Sequence, residues 1–209
     1  MAEKKPKELY KERYERITTT ISLKEPDRVP IAPFSHFYAS NQQGLTNKEA
    51  MYHPEKLSEA NINTFKSLHW DMVPPLVFSL NGNIFDSLGL KFFKWPGAYD
   101  KEQRLKENEP FQFVEGEYMK ANEYKEFFTD PTGFILRKIL PRHYSNLKGF
   151  ANFPNFLSLC NGYMMHLHFS LFYGLQSTKK IIESLEQTTK LLLKWIQIIL
   201  NYSKEMKKL

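Results

Sequence analysis

Pro26-Asp27-Arg28-Val29-Pro30, continued by Ile31-Ala32-Pro33-Phe34, is the stretch on which the fold turns. Pro26 and Pro30 end one element and bracket the next, because proline supplies no N–H and pushes the preceding residue toward extended backbone. The run from Ile31 to Phe34 has the continuous apolar character of a short strand covered on both faces, as in a parallel barrel. Upstream, residues 5–23 read as a helix with Tyr10, Tyr14, Ile17 and Ile21 on one stripe.

Downstream the pattern alternates between helices and short apolar runs, which favours an α/β fold. Thr46-Asn47-Lys48-Glu49 is a capping box that starts a helix. Pro54 opens another, reaching about Leu68, with Leu57, Ile62 and Phe65 as its buried residues. Asp71-Met72-Val73-Pro74-Pro75 reads as a second strand end, Ile84–Leu88 as a short helix closing on Gly89, and Leu90–Phe93 as a third strand. Residues 97–110 make a long loop of the kind that is usually functional or mobile. Phe111–Val114 reads as a short strand, and Asp130-Pro131 caps a helix that Pro141 ends. The chain from Phe153 to Phe172 reads as helical, and a last helix runs from Ser177 with Ile181, Leu185, Leu192, Trp195, Ile199 and Met206 at helical spacing.

Composition narrows the function classes. The net charge of +6 sits at the ends: residues 1–24 and 177–209 together carry +7, and the middle carries −1. That is the signature of two solvated helices rather than of a nucleic-acid stripe. The single cysteine, Cys160, rules out an internal disulfide and a multi-cysteine zinc cluster. The apolar runs near Leu191–Leu193 are broken by Lys194 and Gln197, so no membrane span is expected, and the N-terminus lacks a signal-peptide core. The expectation is a cytoplasmic protein.

Several phrases together resemble one family. Pro26–Pro30, the Gly44-Leu45-Thr46 turn, His53-Pro54-Glu55-Lys56 and Asp71-Met72-Val73 stand in the order seen in the uroporphyrinogen decarboxylase superfamily. Lys94-Trp95-Pro96-Gly97, Phe111 to Met119, Asp130-Pro131 and Leu140-Pro141-Arg142 look like an uncharacterised branch of it found in anaerobic prokaryotes. The resemblance covers residues 15–145 and rests on order, since no single phrase is specific. It implies a (β/α)8 TIM barrel, which needs ~250 residues. The chain would then be an incomplete N-terminal half barrel with long helices, a single partial domain over residues 1–209: helix 1–24, first strands and loops 25–150, helical end 151–209. Unpaired sheet edges in a half barrel imply self-association.

Where true decarboxylases carry an arginine-bearing stretch after the first strand, this chain has Ser35-His36-Phe37-Tyr38-Ala39. Where they carry a catalytic aspartate after Phe-Ser, it has Leu80 after Phe78-Ser79. Both departures point from tetrapyrrole decarboxylation, a third reading, toward relatives that use zinc and a corrinoid to transfer a methyl group. In those the zinc ligands, a His-x-Cys pair and a later Cys, lie in the second half of the barrel. The resemblance therefore implies an N-terminal fragment of a methyltransferase, inactive alone and without cofactor of its own, with a corrinoid protein or small methyl donor as partner. The rival is a non-catalytic, self-associating half barrel or a gene remnant.

Candidate site residues follow, each with a plainer alternative. His36 and Tyr38 would face the barrel mouth and touch substrate, or pack a loop; Asn81 and Asn83 would bind a ligand, or form a turn. Trp95 would cap an apolar ligand, or fill a core. Glu115, Glu117 and Tyr118 form a polar cluster able to do acid–base work, or a helix start. No metal site is assigned: His166 and His168 sit about 200° apart on a helix and cannot share an ion there, and Cys160 reads as a small buried apolar group.

Overall fold

A computed structural model describes residues 5–34, 36–73, 75–76, 80–154 and 167–208, and within 167–178 the backbone alone. Cys160, His166, the His168 side chain, Phe78-Ser79 and most of the expected helix over 153–172 lie outside the described residues. The chain is mostly helical and divides into two compact units, Met1–Asn81 with Lys194–Leu209, and Gly82–Leu193.

The first unit contains α1 (Pro6–Ile21), α2 (Tyr38–Gln42), α3 (Asn47–Tyr52) and α4 (Pro54–Lys66), with the end of the long α9 (Leu167–Met206). The expected capping box opens α3: the Thr46 hydroxyl accepts from the Glu49 amide at 3.1 Å, and the Glu49 carboxylate accepts from the Thr46 amide at 3.0 Å. On α4, Leu57, Ala60, Asn61, Thr64 and Phe65 recur at helical spacing and are buried together. They pack on α2, whose Ala39 carbonyl accepts from the Thr64 hydroxyl at 3.3 Å. Met51, Trp195 and Tyr202 are buried in the same unit.

The second unit holds α5 (Gly82–Leu88) and a three-stranded sheet of β1 (Phe93–Pro96), β2 (Arg104–Leu105) and β3 (Gln112–Phe113), in the order β2-β1-β3. β1 pairs parallel to β2, Trp95 against Arg104, and antiparallel to β3, Phe93 against Phe113. The long loop expected over 97–110 thus contains β2, and Arg104 ties it by donating to the Ala98 and Tyr99 carbonyls at 2.6 Å each. After the sheet come α6 (Tyr124–Thr129), α7 (Pro131–Phe134), a π turn over Ile135–Ile139, α8 (Leu140–His143) and a 3-10 stretch over Ser145–Asn152. The start of α7 is as expected, with the Asp130 carboxylate accepting from the Gly133 amide at 2.8 Å. The end is not: helical backbone passes through Pro141 to His143. Pro141 cannot donate to the carbonyl four residues back, and the wider π turn just before it loosens the ladder where that bond is missing.

The chain is therefore not half of a (β/α)8 barrel; among the described residues the sheet is small, mixed and built from residues 93–113. The expected first strand, Ile31–Phe34, forms no ladder; the Asp71 and Met72 amides both donate to the Ile31 carbonyl, at 2.9 and 3.3 Å. Pro30 and Pro33 remove two donors from this segment, so a central strand cannot continue through it. The expected second strand end forms no strand over Asp71–Val73 either. In the third, Leu90 makes one isolated bridge to Tyr144 and pairing proper begins only at Phe93. Continuous apolar character did not mark burial either, since Ile31, Ala32 and Phe34 are exposed, and the prolines decided against a sheet.

Candidate functional site

The strongest local construction in the first unit is an ionic clasp around Asp71, whose side chain is wholly buried. Arg16, on α1, bonds this carboxylate and also grips Asp27 through two bonds of 2.6 Å each. Arg28 adds a forked pair at 2.7 and 2.8 Å, and the Ile31 amide donates at 2.8 Å. Burial alone would raise the Asp71 carboxyl, but the Ile31 amide, Arg16 and Arg28 outweigh it and hold the group below the usual carboxylate range. Arg16 likewise draws Asp27 down to about 2. Asp71 is thus a fixed anion with its lone pairs occupied, a structural pin rather than a free base.

Beside the pin lies a groove of about 650 Å³, within the range of small-molecule sites. Tyr10, Tyr14 and Ile17 of α1 form one wall, Met72 and Val73 another, and Met206 of α9 contributes an apolar end. Tyr10 and Tyr14 stack with ring centroids 6.0 Å apart, yet both remain more than half exposed. Lys7, Arg13 and Lys207 also line it, and among the described residues no hydrogen bond or ion pair engages their side chains. Asp71 also lines it, but its charge is held by Arg16 and Arg28, so an apolar trough edged by three cations favours a ligand with an apolar body and an anionic head.

The expected site residues fall elsewhere. His36, Tyr38 and Asn81 belong to the first unit; Asn83, Trp95, Glu115, Glu117 and Tyr118 belong to the second. His36 is exposed at φ 36°, its ring 6.0 Å from Phe34. Tyr38 starts α2 and faces the Trp70 ring at 6.2 Å. Asn81 is buried, and Asn83 lies half-buried in the first turn of α5. Trp95 is 1% exposed and meets Phe85 edge-on at 5.3 Å, so it fills a core. Glu115 and Glu117 are exposed, while the Tyr118 hydroxyl donates to the Val114 carbonyl at 2.6 Å. The Tyr118 ring also packs on His143 at 4.8 Å, with Phe92 5.0 Å from the same imidazole.

His143 is the unforeseen member of that cluster. Its Nε2 is buried without a hydrogen-bond partner, and burial, then the neighbouring Arg142, push the imidazole below its ordinary value. Enclosed by rings, it has the environment of a neutral packing group. Arg142 itself is taken up by Glu123, at 2.6 and 2.8 Å, which draws that carboxyl to about 2.

The groove was half legible. Tyr10, Tyr14 and Ile17 stand on one stripe in the sequence, but nothing local brings Met72 or Met206 to them. Among the described residues no three His, Cys, Asp or Glu side chains gather to hold a metal. Among the same residues no helix is long and apolar enough to cross a membrane. No family model, curated protein or solved structure matches the chain, so the groove and the clasp are read on their own chemistry.

Proposed function

We propose that the first unit is a binding module for a small anionic molecule with an apolar or aromatic body, held in the α1 groove. The observation that carries this is the juxtaposition of exposed Tyr10 and Tyr14 with Lys7, Arg13 and Lys207, three cations without partners among the described residues. The rings would stack on the ligand's body and the cations would meet its carboxylate, sulfonate or phosphate. An anilinonaphthalene sulfonate is a direct probe, since its fluorescence rises on entering an apolar site. Saturable one-to-one binding is expected, weakening with salt. Replacing Arg13 and Lys207 by alanine removes two charge-assisted contacts, for a loss of roughly 10- to 100-fold in affinity. Unchanged affinity in a folded double variant would refute the assignment.

The second reading is the family one: a cytoplasmic, uroporphyrinogen-decarboxylase-like protein of the methyl-transferring kind, serving a corrinoid-bearing partner. It is favoured by one observation. Two of the phrases that carry the resemblance, Pro26–Pro30 and Asp71–Val73, are bonded to each other through Arg28 and Asp71. The test is to read the coding sequence beyond codon 209. An in-frame His-x-Cys and a later Cys would support zinc-dependent methyl transfer, and a sequence without them would turn this reading down.

A further inference from the structure

The long α9 carries a second apolar surface that neither the clasp nor the groove uses. Its buried side is Ile181, Ser184, Thr188, Trp195 and Tyr202. About 120° around the helix axis, Ile182, Leu185, Leu192, Leu193, Ile196 and Leu200 form another stripe, each 41–63% exposed. Positions 182, 185, 189, 192 and 196 alternate spacings of three and four, the a/d repeat of a helix-pairing seam. Thr189 is the one polar residue among these five positions, and its hydroxyl is spent on the Leu185 carbonyl at 2.8 Å. The charges stay on the flank, where Glu186 pairs with Lys190 at 2.6 Å within the helix.

From this we infer that α9 pairs with α9 of a second copy of this chain, as a two-fold homodimer. A seam on a single helix is self-complementary under a two-fold axis, because the same patch serves both subunits. Area supports the commitment: six side chains about half exposed offer up to about 530 Å² per copy, so a pair buries roughly 1,000 Å², the level a specific interface must reach. No charge lies within the seam to be desolvated or to repel its twin.

Sedimentation equilibrium of the full chain tests this. A dimer that dissociates in the micromolar range is expected, and L193E/I196E should be monomeric with an unchanged far-UV circular dichroism spectrum. Gln197→Glu, beside the seam on the polar flank, should leave the dimer intact. If the glutamates unfold the chain, the milder L193N/I196N serves, with at least a tenfold rise in dissociation constant expected. A wild-type monomer at roughly 100 µM would overturn the inference, as would a folded seam variant that still dimerises or a Gln197→Glu change that dissociates it.

Discussion

Replacing Asp71 by asparagine keeps the shape and removes only the charge, so it isolates what the clasp contributes. The amide oxygen can still accept from the Ile31 amide, now 2.8 Å from the carboxylate. What it cannot do is balance Arg16, which is 9% exposed and would keep only its grip on Asp27. Breaking a buried ion pair from one side costs about 3–5 kcal/mol, because the remaining charge stays desolvated. A domain has only about 5–15 kcal/mol in all, so Asp71→Asn should bring the first unit near the edge of folding. With a urea slope of about 1–3 kcal/mol per molar, the midpoint should fall by about 1 M or more. Tryptophan fluorescence is a suitable readout, since Trp70 adjoins Asp71 and packs on Phe65 at 4.8 Å. The companion change Arg16→Met should cost a comparable amount, and the double variant less than the sum of the two, because each leaves the other's partner stranded. A midpoint within about 0.3 M of wild type for Asp71→Asn would refute the reasoning.

Two further outcomes follow from the same geometry. Acid should weaken the protein: Asp27 and Glu123 are held at about 2 and Asp71 is also lowered, against unfolded values near about 4. A carboxyl depressed by folding stabilises fully above its unfolded value and loses that contribution as pH falls through the folded one. Urea midpoints should therefore decline between roughly pH 4 and pH 2, and a flat profile there would count against the clasp. Gly89 sits at φ 67°, and a Cβ there would lie 2.0 Å from the Ser145 hydroxyl, so Gly89→Ala should cost about 1–3 kcal/mol and lower Tm by several degrees. An unchanged Tm would show that the turn adapts.

What the sequence disclosed was local. Thr46 with Glu49, and Asp130 with Gly133, start helices because their bonds close within three residues, while Pro54 and Pro131 sit in first turns where a missing N–H costs nothing. Strands need partners that local sequence does not name. Ile31–Phe34 was apolar enough for a strand, but its prolines denied the ladder, and the chain instead spent one carbonyl, that of Ile31, on two amides. Trp95 carries two readings in the sequence, ligand cap and core residue, and its burial fits core packing. His143 gave no signal in sequence, since its surroundings come from Phe92 and Tyr118, 51 and 25 residues away.

The clasp also explains why α1 can form a ligand wall at all. Among its residues none is fully buried, and only Leu9 and Ile17 are half-buried apolar side chains, so the hydrophobic effect holds this helix down weakly. Arg16 adds to this hold, through Asp27 and Asp71, from a position more than 100° around the axis from the centre of the Tyr10, Tyr14 and Ile17 stripe. A helix anchored by charge on one side keeps its aromatic side free, whereas a helix anchored by burial would have spent those rings on the core. Clasp and groove are therefore linked: a ligand that binds the assembled groove stabilises the fold that carries it, by an amount set by its concentration relative to its dissociation constant. On this account the sulfonate probe should raise the urea midpoint of the wild type and lose most of its affinity for Asp71→Asn, although Asp71 contributes no free lone pair to the ligand.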